Sequence, residues 1–243
     1  MTKVILTAML FFAAAHPASA QFDKVLKGLG SNVPNIGGSS LSDAKIGSGL
    51  QEALKLGTEN AVEQTGTVDG FLMNKAIKIL MPKTLQNLEK PLRLVGYGPK
   101  IDEFVVGMNR AAEKAVPFAK DIFWAAIGQM SFDDVKKVLN GGDTAATDYF
   151  KSKTTKQLQE AFLPSVTDVM NQVGVNRQYN DLMAKYKDVP FSKSVTFDAN
   201  KYVTEKATDG IFYVVAQEEK KIRTNPAARV TDLLKEVFGS VKK

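Results

Sequence analysis

Apolar residues recur along most of this chain in steps of three and four, which is the spacing of one helix face. A period of two never persists for long. The clearest run lies between about Lys100 and Met130, where Phe104, Met108, Ala111, Ala115, Ala119, Phe123 and Ile127 share a stripe. Pro117 removes one backbone donor from it and predicts a kink. Leu50–Val62 and Asp69–Leu80 read as two earlier amphipathic helices, the second punctuated by Pro82. A short helix to Lys90 follows, then Pro91 and the turn "GYGPK". Ser131 offers an N-cap for a helix that ends at Asn140-Gly141-Gly142, and Asp143 or Thr144 can start the next. Thr154-Thr155-Lys156-Gln157 has the spacing of a further helix start. Pro164–Val173 and Asn176–Lys187 read as separate short helices. Only "DVPFSKSVTF" has an extended character. Asp198 caps a long helix to about Arg223. Asn225-Pro226 places a capping side chain before a proline, and the last helix buries Val230, Leu233, Leu234 and Val237 before stopping near Gly239. The prediction is an all-α fold: a single globular domain of about nine or ten helices over residues 50–243.

Two segments echo each other. "TVDGFLMNKAIKILMP" and "ATDGIFYVVAQEEKKIRTNP" each place Asp-Gly before aromatic and aliphatic residues and a later proline. A glycine inside a helix costs ~1 kcal/mol against alanine. Gly70 and Gly210 are therefore expected inside helices, where another backbone crosses closely.

The N-terminus breaks the pattern. Lys3, the apolar run Val4–Ala15, Pro17 and the small-residue site Ala18-Ser19-Ala20 have the order of a secretory signal peptide over residues 1–20. The apolar run is shorter than the ~20 residues that span a bilayer. No transmembrane anchor is expected after cleavage, and the expected location is periplasmic or secreted. Residues 21–49 read as a short helix, Phe22–Leu29, followed by a Gly/Ser-rich flexible segment.

Cleavage after Ala20 also removes His16, the only histidine, from a chain with no cysteine. Nucleophilic systems that need an imidazole base are then excluded. Zinc and copper sites draw on His and Cys almost always, so no metal is expected. No cofactor and no catalytic residue is assigned. Carboxylate chemistry and binding without catalysis remain. The whole chain carries a net charge of +6, or +5 without residues 1–20. This excess reads as spread along the chain. No run of Lys or Arg resembles a nucleic-acid footprint, so no nucleic-acid partner is expected.

The stretches "GMNRAAEKAVPFAKDIFWAAIGQMSFDD", "GGDTAATDYFK", "TDGIFYVVAQEEKKIRTNPAARVTDLLKEVFG" and "DGFLMNKAIKILMP" together resemble the domain of unknown function 4197 family. The resemblance implies a helical, exported protein, mostly bacterial, and brings no established activity or residue roles.

The charged residues in these stretches are weighed on physical grounds. Arg110 and Glu113 lie three apart on a helix and can pair. Taking Met108 as the buried direction, they fall about 200° and 140° away, both off the core stripe. They form either a solvated ion pair or part of a groove wall, where an Arg can hold a carboxylate or phosphate. Glu219, Arg223 and Arg229 stand beside the start of the last helix, a place that attracts anions. Arg223 can equally pair with Glu219. The aromatic set, Phe71, Phe104, Phe123, Trp124, Phe150, Phe162, Phe212 and Tyr213, is expected to be mostly core, with some members free to line an apolar cavity. Arg110, Glu113, Arg223, Arg229, Phe104, Phe123 and Phe212 are the candidate ligand-binding residues. The first functional expectation is an exported binding protein for an apolar or amphipathic ligand such as a lipid. The alternative is an envelope structural or protein-interaction module with an envelope protein partner. A third is a glycan-cleaving enzyme that uses Glu113 or Glu219 as its acid.

Overall fold

The computed structural model describes residues 42–187 and 197–240. The expected signal segment with His16, the helix expected over Phe22–Leu29 and all of "DVPFSKSVTF" except its last residue lie outside the described residues.

Helix α1 (Asp43–Gly66) starts where Ser42 accepts a hydrogen bond from the Lys45 amide at 3.3 Å. Helix therefore replaces the expected flexible segment from Asp43 onward. α2 spans Lys83–Leu94 and passes through Pro91, which the sequence reading places after its end. α3 (Gly98–Ala115), a 3-10 turn (Val116–Phe118) and α4 (Ala119–Gly128) form the predicted long rod, tightened at Pro117. α5 (Phe132–Asn140) has the predicted cap, and Asp134 completes it by accepting from the Ser131 amide. α6 (Ala145–Gln172) runs on through Thr154 and Pro164, where the sequence suggested two breaks. Its apolar face carries it across: Phe150, Leu158, Phe162, Val166 and Met170 are all fully buried. α7 spans Val175–Lys187. α8 (Ala199–Thr224) is capped by Asp198, whose side chain accepts from the Lys201 amide. Asn225-Pro226 opens only a 3-10 turn, Pro226–Ala228, and α9 begins later, at Asp232. Val230 consequently stays 65% exposed, whereas Leu234 and Val237 are buried as expected.

No strand occurs among the described residues, and the fold is all-α. With Gly98–Gly128 taken as one rod, the helical bodies are slightly fewer than the pattern predicts. α6 and α8 pack on each other at the centre, with α3 against α6, α1 against α8, and α9 laid on α1. The core is one continuous apolar cluster. No described helix is long and apolar enough to cross a membrane.

Residues 67–82 depart most from the sequence reading. They form a strap of turns and irregular backbone instead of a helix. Asp69 takes a left-handed conformation, with φ of 71°, which a short polar side chain tolerates better than most. The two echoed segments thus have different structures. Gly70 lies in a turn, where an added Cβ would stand 2.5 Å from the Gln64 carbonyl oxygen. Gly210 is inside α8 as expected, but what crosses it is the Phe71 ring and not a backbone.

Candidate functional site

A strap without its own helical ladder needs hydrogen-bond partners from elsewhere, and α3 supplies them. Glu113 Oε1 accepts from the backbone N–H groups of Phe71 and Leu72, each at 3.1 Å. Its Oε2 accepts from Arg110 at 2.7 Å. Arg110 also donates to Asp69 at 2.7 Å. Asn109 pairs with Ile79 in both directions, accepting from its N–H at 2.9 Å and donating to its carbonyl at 2.8 Å. The motif "MNRAAE" therefore clips the strap onto α3. Glu113 points away from Met108 as its angle requires, yet only 3% of it is exposed, because the strap covers that face. Glu113 and then Asp69 raise the Arg110 pKa above its already high ordinary value.

A second clip sits on α8, and its parts are reversed. Glu219 accepts from the backbone N–H groups of Ala146 and Thr147, both at 2.9 Å, and from the Thr147 hydroxyl at 2.8 Å. These are first-turn donors of α6, which Thr144 leaves without a side-chain cap. The expected Asp143 cap is replaced by a carboxylate from another helix. Arg223, one turn on, donates to Glu219 at 2.8 Å and to the Val138 carbonyl at 2.7 Å. One Glu–Arg pair thus caps the start of α6 and the end of α5. Arg229 donates to the carbonyls of Ile222 and Arg223, at 3.0 and 2.9 Å, and closes the end of α8.

The structure therefore separates the candidate residues into two clips on different helices, and each clip's charges are met from within the chain. The aromatic candidates divide likewise. Phe123 and Phe212 lie in the core with ring centroids 6.0 Å apart, and Phe150 is 5.2 Å from Phe123. Phe104 is fully buried at the inner end of a separate aromatic series. That series runs from Phe104 to Tyr179, Phe197 and Tyr202, with successive centroids 6.5, 5.7 and 5.4 Å apart.

The outer end of this series opens into a hollow that sequence reasoning missed. A groove of about 710 Å³ runs between the strap and α8. Ile77, Leu80, Met81, Phe197, Gly210 and Tyr213 give it an apolar wall, and Lys78, Lys83, Lys206 and Asp209 are also in its lining. Tyr202 donates to the Leu80 carbonyl across it at 3.1 Å, and burial raises the pKa of this phenol. Gly210 ties the groove to the first clip. The Phe71 ring rests where a Cβ would stand, with Phe71 Cζ only 2.8 Å from that position. Arg110 and Glu113 thus hold the back of the groove wall without lining it. Arg223 and Glu219 border a different apolar space, of about 20 Å³, among Leu50, Leu54, Phe150 and Ile222. That space is about the size of one water. No cluster of metal-ligating side chains occurs among the described residues.

The groove's signal in the sequence was weak, because its residues belong to a segment patterned like a helix and to α8, 120 residues later. The basic residues and exposed Tyr213 carried no motif.

A model of the family described as protein of unknown function (DUF4197) matches residues 40–239. Neither the curated proteins nor the solved structures contain a match.

Proposed function

The chain belongs to the DUF4197 family, and from that premise we propose that it is an exported binding protein for an amphipathic molecule with an anionic head. The family's description assigns no activity, so the reading rests on the groove. A pocket for such a molecule is largely apolar, with a few polar groups that fix the head. The groove beside α8 has that make-up: an apolar wall from Ile77, Leu80, Met81 and Tyr213, with lysines 78, 83 and 206 around it. Glu113 and Glu219 are not the basis of an enzymatic reading, because their oxygens are engaged by backbone amides and arginines. Export by the N-terminal segment is part of the same proposal, and puts the protein in the periplasm or outside the cell.

The test is titration of the delipidated protein with a fluorescent long-chain fatty acid. Saturable binding is expected. Leu80→Glu and Lys206→Glu should each weaken it about tenfold, equivalent to ~1.4 kcal/mol. Arg110→Ala and Arg223→Ala should leave the affinity unchanged in variants that remain folded. Absence of saturable binding by the wild type rejects the carrier reading for this ligand class and favours the envelope-interaction alternative.

A further inference from the structure

We propose that the outer face of the strap and α2 docks the protein on an anionic lipid bilayer. The docking face shares Lys78, Leu80 and Lys83 with the groove, but the inference does not depend on a ligand in it. The positive charge is not spread along the chain as the sequence reading has it. Residues 73–100 contain six basic residues and one acidic one, Glu89, and so carry +5 of the whole chain's +6. Arg93 is spent on Glu89 and Asp102, at 3.0 and 2.6 Å, and Lys100 on Glu103 at 2.9 Å. Lys75, Lys78, Lys83 and Lys90 are exposed, and among the described residues none of them has an ion-pair partner.

These lysines stand beside apolar side chains turned to solvent. At 100° per residue, Lys83, Lys90 and Leu94 fall within about 40° of one another on α2. Leu85 and Leu92, both fully buried, occupy the opposite side. Leu94 is 88% exposed, Val95 64% and Leu80 56%. The strap runs directly into α2 at Lys83, and the two share the lining of two hollows: Lys78, Leu80 and Arg93 line one, and Lys78, Leu80 and Lys83 line the groove.

Exposed aliphatic side chains set among unpaired lysines match the headgroup boundary of a bilayer. There the apolar residues enter the acyl region while lysine stems extend to the phosphates. Nucleic acid fits less well. No arginine on the face is free to fork a phosphate, and Tyr97, its one aromatic, is packed against the core. Docked this way, the protein presents the groove, at Lys78, Leu80 and Lys83, to the lipid surface.

The experiment is co-sedimentation of the full exported chain with vesicles of equal parts phosphatidylglycerol and phosphatidylcholine, and with pure phosphatidylcholine. Binding to the mixed vesicles alone is expected, weakening as salt is raised. Lys75→Glu/Lys90→Glu should reduce it by at least about 25-fold, roughly fivefold for each lysine lost, with repulsion of the new carboxylates adding to this. Leu94→Ser/Val95→Ser should reduce it about tenfold at physiological salt. None of these four residues lines the groove, so both variants should bind free fatty acid as the wild type does. Failure of docking and failure of the carrier reading are therefore told apart. A control pair, Lys137→Glu/Lys220→Glu, makes the same charge change on α5 and α8 and should retain vesicle binding. Three results overturn the proposal: no sedimentation with mixed vesicles, equal loss in the control pair, or duplex DNA binding of equal strength at the same salt that Leu94→Ser/Val95→Ser leaves intact.

Discussion

Replacing Glu113 by alanine tests whether the strap is held by this one carboxylate. In the wild type Oε1 serves the amides of Phe71 and Leu72, and neither has another acceptor among the described residues. The first amide is buried and the second half-buried. Alanine strands both, at ~1–3 kcal/mol for each unpaired donor. Arg110 keeps Asp69, a pair whose members are 31% and 48% exposed, so its own loss is well screened. The expected total is ~3 kcal/mol, which for a domain of this size lowers Tm by roughly 6–12 °C. Glu113→Gln retains an oxygen for the two amides but puts an NH2 donor where Oε2 accepts from Arg110. It should cost ~1 kcal/mol, as should Arg110→Ala. Urea denaturation gives the three values, and amide exchange at Phe71 and Leu72 locates the effect. Alanine must accelerate exchange at these two amides and glutamine much less. If Glu113→Ala costs no more than Arg110→Ala, or leaves both exchange rates unchanged, the clip is not what holds the strap.

The other expectations concern different parts of the molecule. Glu219→Ala leaves two α6 amides and Arg223, whose side chain is 10% exposed, without their partner. It should cost ~3–5 kcal/mol, Arg223→Ala should cost less, and the double variant less than the sum, all measurable by denaturant melts. Gly210→Ala pushes a methyl into the Phe71 ring and should destabilise by ~1–3 kcal/mol, where a solvated helix site would gain; a raised Tm would show that the ring yields freely. The Ser131 hydroxyl, then its amide, lower the Asp134 pKa from the ordinary 3.8. The folded state therefore binds this proton less readily, and the stabilisation is present above about pH 4 and lost as pH falls through the lowered value. Melting from pH 2 to 6 should show a gap between wild type and Asp134→Asn that closes at the acid end.

What was legible in the sequence was local. The stripe from Phe104 to Ile127, the tightening at Pro117 and the caps at Ser131 and Asp198 each depend on residues within a turn or two of one another. The strap was misread because Leu72, Ala76, Ile79 and Leu80 recur at three- and four-residue steps, while the partners that replace helical hydrogen bonds there, Asn109 and Glu113, lie on another element. Of the two starts offered for α6, Thr144 holds the cap position, but neither side chain caps the helix, since Glu219 serves the amides from α8. Arg110, Glu113, Arg223 and Arg229 were named as candidate ligand-binding residues, and the pairings of Arg110 with Glu113 and of Arg223 with Glu219 were foreseen as the alternative. Glu113 and Arg229 meet mainly backbone atoms, which carry no sequence signal, and the Asp69 partner of Arg110 lies 41 residues away. Pro164 marked a break that the buried face of α6 overrides. The groove was invisible because its two walls are joined only in space.

Both clips share a direction along the chain. The amides come first and their carboxylates later: Glu113 follows Phe71 by 42 residues, and Glu219 follows Ala146 by 73. A polypeptide that emerges N-terminus first thus exposes each set of donors before its acceptor exists. The strap must wait for α3, and α5 and α6 must wait for the last turns of α8. Such long loops close slowly. Consolidation is therefore a late event, completed only when nearly the whole chain has been released, and a fragment ending before Glu219 would retain helices but not the join between α5 and α6. Under the export proposed above, this order would delay a commitment to structure until the end of the sequence has arrived.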